Sequence, residues 1–192
     1  MIAIIDYGAG NIRSIQNSLK RLNCEAVLSH DAEEISGATK VIFPGVGAAG
    51  AAMERLKATG LDELIPKLRQ PVLGICLGMQ LMCTWSEEND TPGLGIFPQK
   101  VLKFPSTGKV PHMGWNACRD LKGPLFEQTQ EGTDFYFVHS YFASPGPETS
   151  SICDYLIPFS ASLQKGNFYG VQFHPEKSGP MGQQLLNQFL QI

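Results

Sequence analysis

No apolar run in this sequence approaches the ~18 residues that a membrane-spanning helix requires, so no helical span is expected. A basic excess is missing too. With 15 Lys and Arg against 18 Asp and Glu the formal net charge is -3, and no Lys/Arg run supplies the footprint of a nucleic-acid-binding protein. The opening residues, MIAIIDYGAGN, pass straight into a strand-like apolar run ending at Asp6, without a basic leader or a small-residue cleavage site. They do not read as a signal peptide. The five cysteines are odd in number and irregular in spacing, which makes no disulfide framework. On a helix, Cys76 and Cys83 would stand ~10 Å apart, too far for a bridge. Neither CxxC nor HExxH occurs, so no zinc site and no cofactor are expected. These absences describe a reduced, cytoplasmic protein that binds neither membrane nor nucleic acid.

What remains is ordinary globular material. The chain has 192 residues, 43% hydrophobic and 17% charged, enough for one domain spanning residues 1–192 with a real core. In the first half, strand-like and helix-like segments alternate. Ile2 to Ile5 reads as a strand, YGAG as a turn, and Asn11 as the N-cap of a helix with Ile12, Ile15, Leu19 and Leu22 on one face. Cys24 to Leu28 and Val41 to Phe43 read as further strands. Ala48 to Leu68 reads as helix broken near Gly60, Val72 to Ile75 as a fourth strand, and Leu77 to Trp85 as a helix. This alternation predicts an α/β fold: a doubly wound, mostly parallel sheet with helices on both faces and sites at strand C-terminal ends. The second half differs. Val101 to Phe104, Phe135 to Val138 and Phe168 to Phe173 read as strands with few helices between them, which adds a smaller antiparallel β portion. Pro145 to Ser151 reads as loop, and the chain ends in a helix with Ser178 near its cap and Leu185, Leu186, Phe189 and Leu190 on its buried side.

The sharpest local feature is GICLG, residues 74 to 78, at a strand-to-helix junction. It is the cysteine counterpart of the G-x-S-x-G nucleophile elbow, in which a tight turn exposes the nucleophile. Glycine two residues to either side removes the Cβ clashes such a turn would meet, and a helix N-terminus favours the thiolate. By itself the pattern serves a nucleophile or a buried structural cysteine equally well. A base is needed, and four histidines are available. His30 lies in a polar turn and reads as a surface residue; His112 and His139 sit in apolar contexts that suit structural roles. His174 stands in VQFHPEKSG at a strand end, where Pro175 biases it to extended backbone. Residues two apart in an extended chain share a side, which sets the Glu176 carboxylate beside the imidazole. Cys76, His174 and Glu176 then form a triad. In elbow architecture one oxyanion donor is the backbone N–H after the nucleophile, here Leu77, and the other comes from the loop after the third strand. That loop is PGVG, residues 44 to 47, with Gly47 as its assigned donor; taken alone, PGVG is also an ordinary strand-to-helix turn.

Together these segments resemble the triad-type (class I) glutamine amidotransferases. GxCxG with HPE marks the superfamily. IIDYGAGNIRS, FPGVGA, GICLGMQLM, PHMGWN, YFVHSYF and GVQFHPEKSG resemble, more narrowly, the glutaminase subunits of imidazole glycerol phosphate synthase, and no motif position departs from the pattern. The stretches outside these motifs, such as Asn116 to Thr133 and Ser144 to Ile157, read as loops and edge segments. The resemblance implies that Cys76 attacks the glutamine amide and that a γ-glutamyl thioester is then hydrolysed. It places glutamine-binding groups on Gly45, Gln80 and Glu88, with His139, Ser140 and Tyr141 on the opposite wall. Without it, Glu88 in the run SEEND reads equally well as a solvated carboxylate. The partner implied is a (β/α)8-barrel cyclase that receives the ammonia, with Trp115, Asn116, Tyr136 and Lys177 at the junction; Trp115 also fits a core position. Three rivals stand beside this reading: a glutaminase of the same fold serving another synthase, a free-standing cysteine peptidase or γ-glutamyl hydrolase, and a catalytically silent subunit. DYGAGN and PHMGWN speak against the first, and the intact Cys76, His174 and Glu176 against the last.

Overall fold

The computed structural model describes residues 1–8 and 10–192. Strands and helices alternate through the first half: β1 (Ile2–Ile5), α1 (Ile12–Arg21), β2 (Ala26–Ser29), α2 (Ala32–Gly37), β3 (Lys40–Phe43), α3 (Ala49–Thr59), α4 (Leu61–Leu64), β4 (Val72–Ile75) and α5 (Leu77–Leu81). Strands dominate the second half: β5 (Cys83–Ser86), β6 (Thr91–Pro92), β7 (Phe97–Lys103), β8 (His112–Arg119), β9 (Thr133–His139), β10 (Tyr141–Ala143), β11 (Thr149–Tyr155), β12 (Ile157–Lys165) and β13 (Phe168–Val171). The chain closes on α6 (Gly179–Gln191).

β1 shows why the sheet is covered on both faces. Its four residues are all buried, and successive side chains point to opposite sides. Ile2 and Ile4 join Ile15 and Leu19 of α1 and Leu185 and Phe189 of α6 in one core. Ala3 and Ile5 join Ile35 of α2 and Met53 and Leu56 of α3 in the other. Strands β2, β1, β3, β4 and β13 run parallel in that order. β13 then pairs antiparallel with β12, and the sheet continues through β10, β7, β5 and β6. β11, β8 and β9 branch from β12 as an antiparallel extension. Because β4 and β13 are parallel neighbours, with Val171 opposite Ile75, Cys76 and the residues after β13 leave the sheet at the same edge. The loop after β3 leaves beside them.

β1 and β4 coincide with the predicted strands, and the break at Gly60 falls where expected, on a left-handed residue (φ 70°). The expected YGAG turn contains Ala9, which lies outside the described residues. Asn11 holds the N-cap position, but its side chain caps no backbone N–H; its Oδ1 accepts from Ser14 Oγ at 2.9 Å instead. β2 starts later than predicted because the Cys24 N–H still bonds back to the Leu19 carbonyl at 3.0 Å. The helix predicted over 77–85 stops at Leu81, and Trp85 lies in β5. The carbonyls of Leu81, Met82 and Cys83, which another helical turn would use, instead accept from Leu94, Ile96 and Gly95.

The larger differences fall in the second half. β8, β11 and β12 were not expected as strands, and the 145–151 loop gives way to β11 at Thr149. Over 145–151 the misleading signal was a stretch rich in Gly, Pro and Ser, which reads as surface loop. Here the hydroxyls pair with one another in the interior: Ser150 with Ser162 at 2.6 Å and Ser151 with Ser162 at 2.7 Å. Mutual hydrogen bonding removes most of the cost of burying them.

Two glycines offer a test of packing at the sheet edge. A Cβ on Gly78 would fall on the Phe43 carbonyl oxygen, whereas one on Gly37 meets nothing within 4 Å. Gly78→Ala should therefore cost about 1–3 kcal/mol or more through overpacking, while Gly37→Ala should be neutral or stabilising by up to about 1 kcal/mol. Urea unfolding of both variants checks this. Equal stability would mean that the elbow is not held against β3.

Candidate active site

Cys76 sits between β4 and α5 with φ +53° and ψ -110°. Positive φ is uncommon outside glycine and costs of order 1–3 kcal/mol, so the surrounding packing must impose it. The two glycines of the motif explain how. Gly78 lets the first turn of α5 lie on the Phe43 backbone, and a Cβ on Gly74 would stand 2.9 Å from the Met79 nitrogen. The Cys76 N–H donates to the Val171 carbonyl at 2.8 Å, which ties the elbow to β13. The thiol is thereby lifted to the floor of a cavity of about 430 Å³, a size suited to a small molecule.

The other half of the pair comes from the end of β13. His174 is 3% exposed, and its Nδ1 is 2.8 Å from Glu176 Oε1. Its backbone is fixed on both sides: its N–H donates to the Tyr136 carbonyl at 2.9 Å, and its carbonyl accepts from Ser178 Oγ at 2.7 Å. Burial alone pulls the imidazole below its ordinary value. Hydrogen bonds to Cys76 and Glu176, with the charges behind them, outweigh that and push it up to about 10. At neutral pH the imidazole therefore holds a proton next to the sulfur. Cys83 contrasts with Cys76: it is wholly buried, and burial pushes its thiol far above the ordinary range.

The cavity walls carry most of the expected residues. Leu77 and Gly47 line it. Leu77 opens α5, so its N–H has no acceptor within the helix; Gly47 has φ +100°. Gln80, Glu88, His139, Ser140, Tyr141 and Lys177 also line the cavity. Glu88 is not a freely solvated carboxylate, because its Oε2 accepts from the Ala49 N–H at 2.8 Å, at the start of α3. Gly45 is not among the residues that line the cavity. It sits behind the wall, where a Cβ would stand 2.8 Å from Leu77 Cβ and from the Tyr7 hydroxyl, and the same hydroxyl donates to the Pro44 carbonyl at 2.9 Å. Of the expected junction residues, Trp115 is 57% exposed rather than in the core. Its ring meets Tyr136 edge-on at 6.0 Å. Lys177 is exposed, and Asn116 is half-buried.

His112 and Gln172 were not singled out for the site, yet both belong to its frame. His112 Nδ1 is 2.9 Å from His139 Nε2, and His139 Nδ1 is 2.8 Å from the Tyr141 carbonyl oxygen. A carbonyl only accepts, so His139 carries its hydrogen on Nδ1, and a neutral His139 accepts from His112 on Nε2. Asn116 Nδ2 faces His112 Nε2 at 3.3 Å, which gives both rings the same tautomer. Burial lowers His112 to about 4, and burial, ahead of the nearby His112 and His174 charges, lowers His139 to about 3. Gln172 lies two residues before His174 on the same side of the chain. The period-two argument that placed Glu176 beside His174 reaches Gln172 as well when it is run backwards.

A family model described as glutamine amidotransferase class-I matches residues 3–192. The chain belongs to the class I glutamine amidotransferases. This amidotransferase is 53% identical to the imidazole glycerol phosphate synthase subunit HisH of Bacteroides thetaiotaomicron, across 100% of its own length and 99% of that protein's. It is 46% identical to the subunit of the same name from Haemophilus influenzae, with 99% and 96% covered. Among solved structures it superposes on PurLQS from Thermotoga maritima with a TM-score of 0.74 at 17% identity, covering 99% of this chain and 97% of that one. A crystal structure of a glutamine amidotransferase gives 0.76 at 18% identity, with 100% and 98% covered. At those identities the structural likeness shows the fold alone.

The ring environments set a pH test. His174 should stay doubly protonated from pH 6 to 8, while His112 and His139 stay neutral with hydrogen on Nδ1. The depressed pair contributes stability that is complete above the unfolded histidine value of ~6.5. It is lost as pH falls through the folded values of about 4 and about 3. Nitrogen-15 NMR of labelled histidines reads all three rings. In Cys76→Ala the His174 midpoint should fall, since one of its two raising partners is gone. A wild-type His174 that titrates near 6.5 would contradict the pairing.

Proposed function

We propose that this chain, as one domain over residues 1–192, hydrolyses glutamine with Cys76 as nucleophile, His174 as proton carrier and Glu176 as its orienting carboxylate. The sulfur bonds to the amide carbon, the carbon–nitrogen bond breaks, and ammonia leaves with the proton from His174. Water, giving a proton to the same imidazole, then opens the γ-glutamyl thioester to glutamate and the free thiol. The observation that carries this reading is the strained Cys76 at φ +53°, facing a His174–Glu176 pair that is 2.8 Å apart and almost wholly buried. The carboxylate holds the imidazole in one tautomer and stabilises its charged form. Leu77 and Gly47 are the assigned oxyanion donors. Glu88 and Gln80 on one wall and His139, Ser140 and Tyr141 on the other flank the glutamine, with Gly45 shaping the loop behind them.

The ammonia is destined for a partner. The HisH name of the full-length relatives supports a cyclase subunit of imidazole glycerol phosphate synthase, which we take to be a (β/α)8 barrel, and a place in histidine biosynthesis in the cytoplasm. Trp115 and Met113, 57% and 60% exposed, alternate along one face of β8, opposite Tyr136 and Val138 of β9. These exposed rings and chains form an apolar patch that suits a protein interface; Lys177, which also lines the cavity, and Asn116, whose amide holds His112 from the other face of β8, complete the junction we assign.

Hydrolysis without an acceptor would waste glutamine. The switch we assign is the PGVG loop, where a peptide flip at Gly47 removes one oxyanion donor. Such a loss costs ~10²–10³ in turnover. The isolated chain should therefore be a poor glutaminase, stimulated at least ~10²-fold by the cyclase with its nucleotide substrate. Cys76→Ala should abolish turnover in that complex, while Cys83→Ala leaves most of it. Glutamate release from the chain alone, with cyclase, and with loaded cyclase tests the reading. Equal rates in all three would make this a free-standing hydrolase.

A further inference from the structure

The sulfur of Cys76 has a neighbour that the triad does not account for. Gln172, fully buried at the end of β13, directs its side-chain Nε2 to Cys76 Sγ at 3.6 Å. Its Oε1 accepts from Gln80 Nε2 at 2.9 Å, and the same Gln80 nitrogen donates to the Tyr141 carbonyl at 2.8 Å. We propose that Gln172 is a catalytic residue of glutamine hydrolysis, donating a hydrogen bond to the attacking sulfur, and that Gln80 is the positioning residue that fixes which end of the Gln172 amide faces it. This rests on the reading of Cys76 as nucleophile.

An amide side chain has two ends of opposite character: a carbonyl oxygen turned to a thiolate repels it, and an NH₂ attracts it. Which end Gln172 presents is set by its other partner. Gln80 meets two acceptors, the Tyr141 carbonyl and Gln172 Oε1, so its NH₂ must point towards them, and only the Gln172 oxygen suits the remaining hydrogen. Tyr141 is locked in turn, because His139 Nδ1 donates to the same carbonyl. The order continues through His112 to Asn116. There the orientation is fixed by the backbone: Asn116 Oδ1 accepts from the Ala117 N–H at 2.9 Å, and its Nδ2 donates to the Asp154 carbonyl at 3.1 Å. Every donor in this line therefore has one allowed direction, and the line ends with N–H on sulfur. Hydrogen bonds to charged acceptors are the strong ones, and this one is shielded from water. His174 supplies the proton that ammonia takes; Gln172 has none to give and favours the thiolate over the thiol, before the sulfur attacks and again when it leaves the thioester.

The test uses iodoacetamide, a probe that needs no glutamine site, on the purified chain, with the alkylated cysteine located by mass spectrometry. Gln172→Met keeps the volume and removes the donor, and should slow Cys76 alkylation roughly tenfold or more, the size expected of a hydrogen bond to a charged group. Gln172→Glu keeps the shape and the bond from Gln80 but turns an acceptor to the sulfur, and should slow it further; it decides the matter if the Met variant does not fold. Gln80→Glu cannot donate to Gln172 and should turn the amide over, slowing alkylation in the wild-type background but not in Gln172→Met. That double-mutant cycle separates reversal of the amide from a direct effect of the new charge. In the complex with loaded cyclase, Gln172→Met should lower kcat and leave KM within about twofold, because the donor acts on the thiolate and not on the bound glutamine. Alkylation of both Gln172 variants within twofold of wild type, or equal slowing by Gln80→Glu in both backgrounds, would overturn the proposal while leaving the triad intact. A wild-type chain alkylated elsewhere and spared at Cys76 would bring down the nucleophile assignment and this inference with it.

Discussion

The close approach of α5 to β3 is the contact on which the site depends. Gly78 lies against the Phe43 carbonyl, nearer than any side-chain-bearing residue allows, and that proximity forces the chain at Cys76 into a conformation it would not otherwise adopt. A positive φ at a cysteine is unfavourable by itself. It persists because the Cys76 N–H is tied to Val171 and because Leu77, Met79 and Leu81 are all sealed into the core that also holds Ala3 and Ile5. Cys76 is thus displayed by packing that is paid for elsewhere, and the geometry of the thiol is as rigid as the sheet beneath it.

Parallel pairing of β4 with β13 does the rest of the assembly. Nearly a hundred residues separate Cys76 from His174 in the chain, and they build the far strands of the sheet and the antiparallel extension. The register nonetheless sets Val171 beside Ile75, so two strand ends deliver the sulfur and the imidazole to one edge. Open α/β sheets place ligands outside the carboxyl ends of their strands for this reason. β9 contributes from the far side: its Tyr136 carbonyl holds the His174 backbone, and Val138 and His139 close the cavity. The extension therefore forms one wall of the site as well as the outer surface where Trp115 stands.

Much of this was legible because the relevant signals are local. GICLG announces a turn through its glycines, and HPE aligns an imidazole and a carboxylate through period-two geometry; both follow from backbone rules that act over a few residues. The first four parallel strands were legible for the same reason, as short apolar runs between turn residues. The second half was harder because its cues are non-local. Ser150, Ser151, Ser160 and Ser162 are polar by composition and buried by pairing, a fact visible only once β11 meets β12. The helix that stops at Leu81 does so because a segment a dozen residues later takes its carbonyls. Gln172 was within reach of the same alternation that found Glu176, whereas the packing of Gly45 against Leu77 and Tyr7 has no local signal. Gly45 supports the loop from behind, while its neighbour Gly47 reaches the cavity.

The neutral pair His112 and His139 bears on what happens to the product. Ammonia is useful to an acceptor only while it keeps its lone pair; as ammonium it is a charged ion that an apolar passage would not admit. His139 borders the cavity we assign as the active site, and burial lowers it to about 3. A ring that binds its extra proton so weakly carries none to hand over at neutral pH. Of the two imidazoles on the cavity wall, only His174 therefore holds a dischargeable proton, and in the mechanism we propose that one is consumed in making ammonia. The frame that holds the His139 tautomer thus also keeps this imidazole from acting as an acid, which favours a nitrogen that leaves in the form in which it can still react.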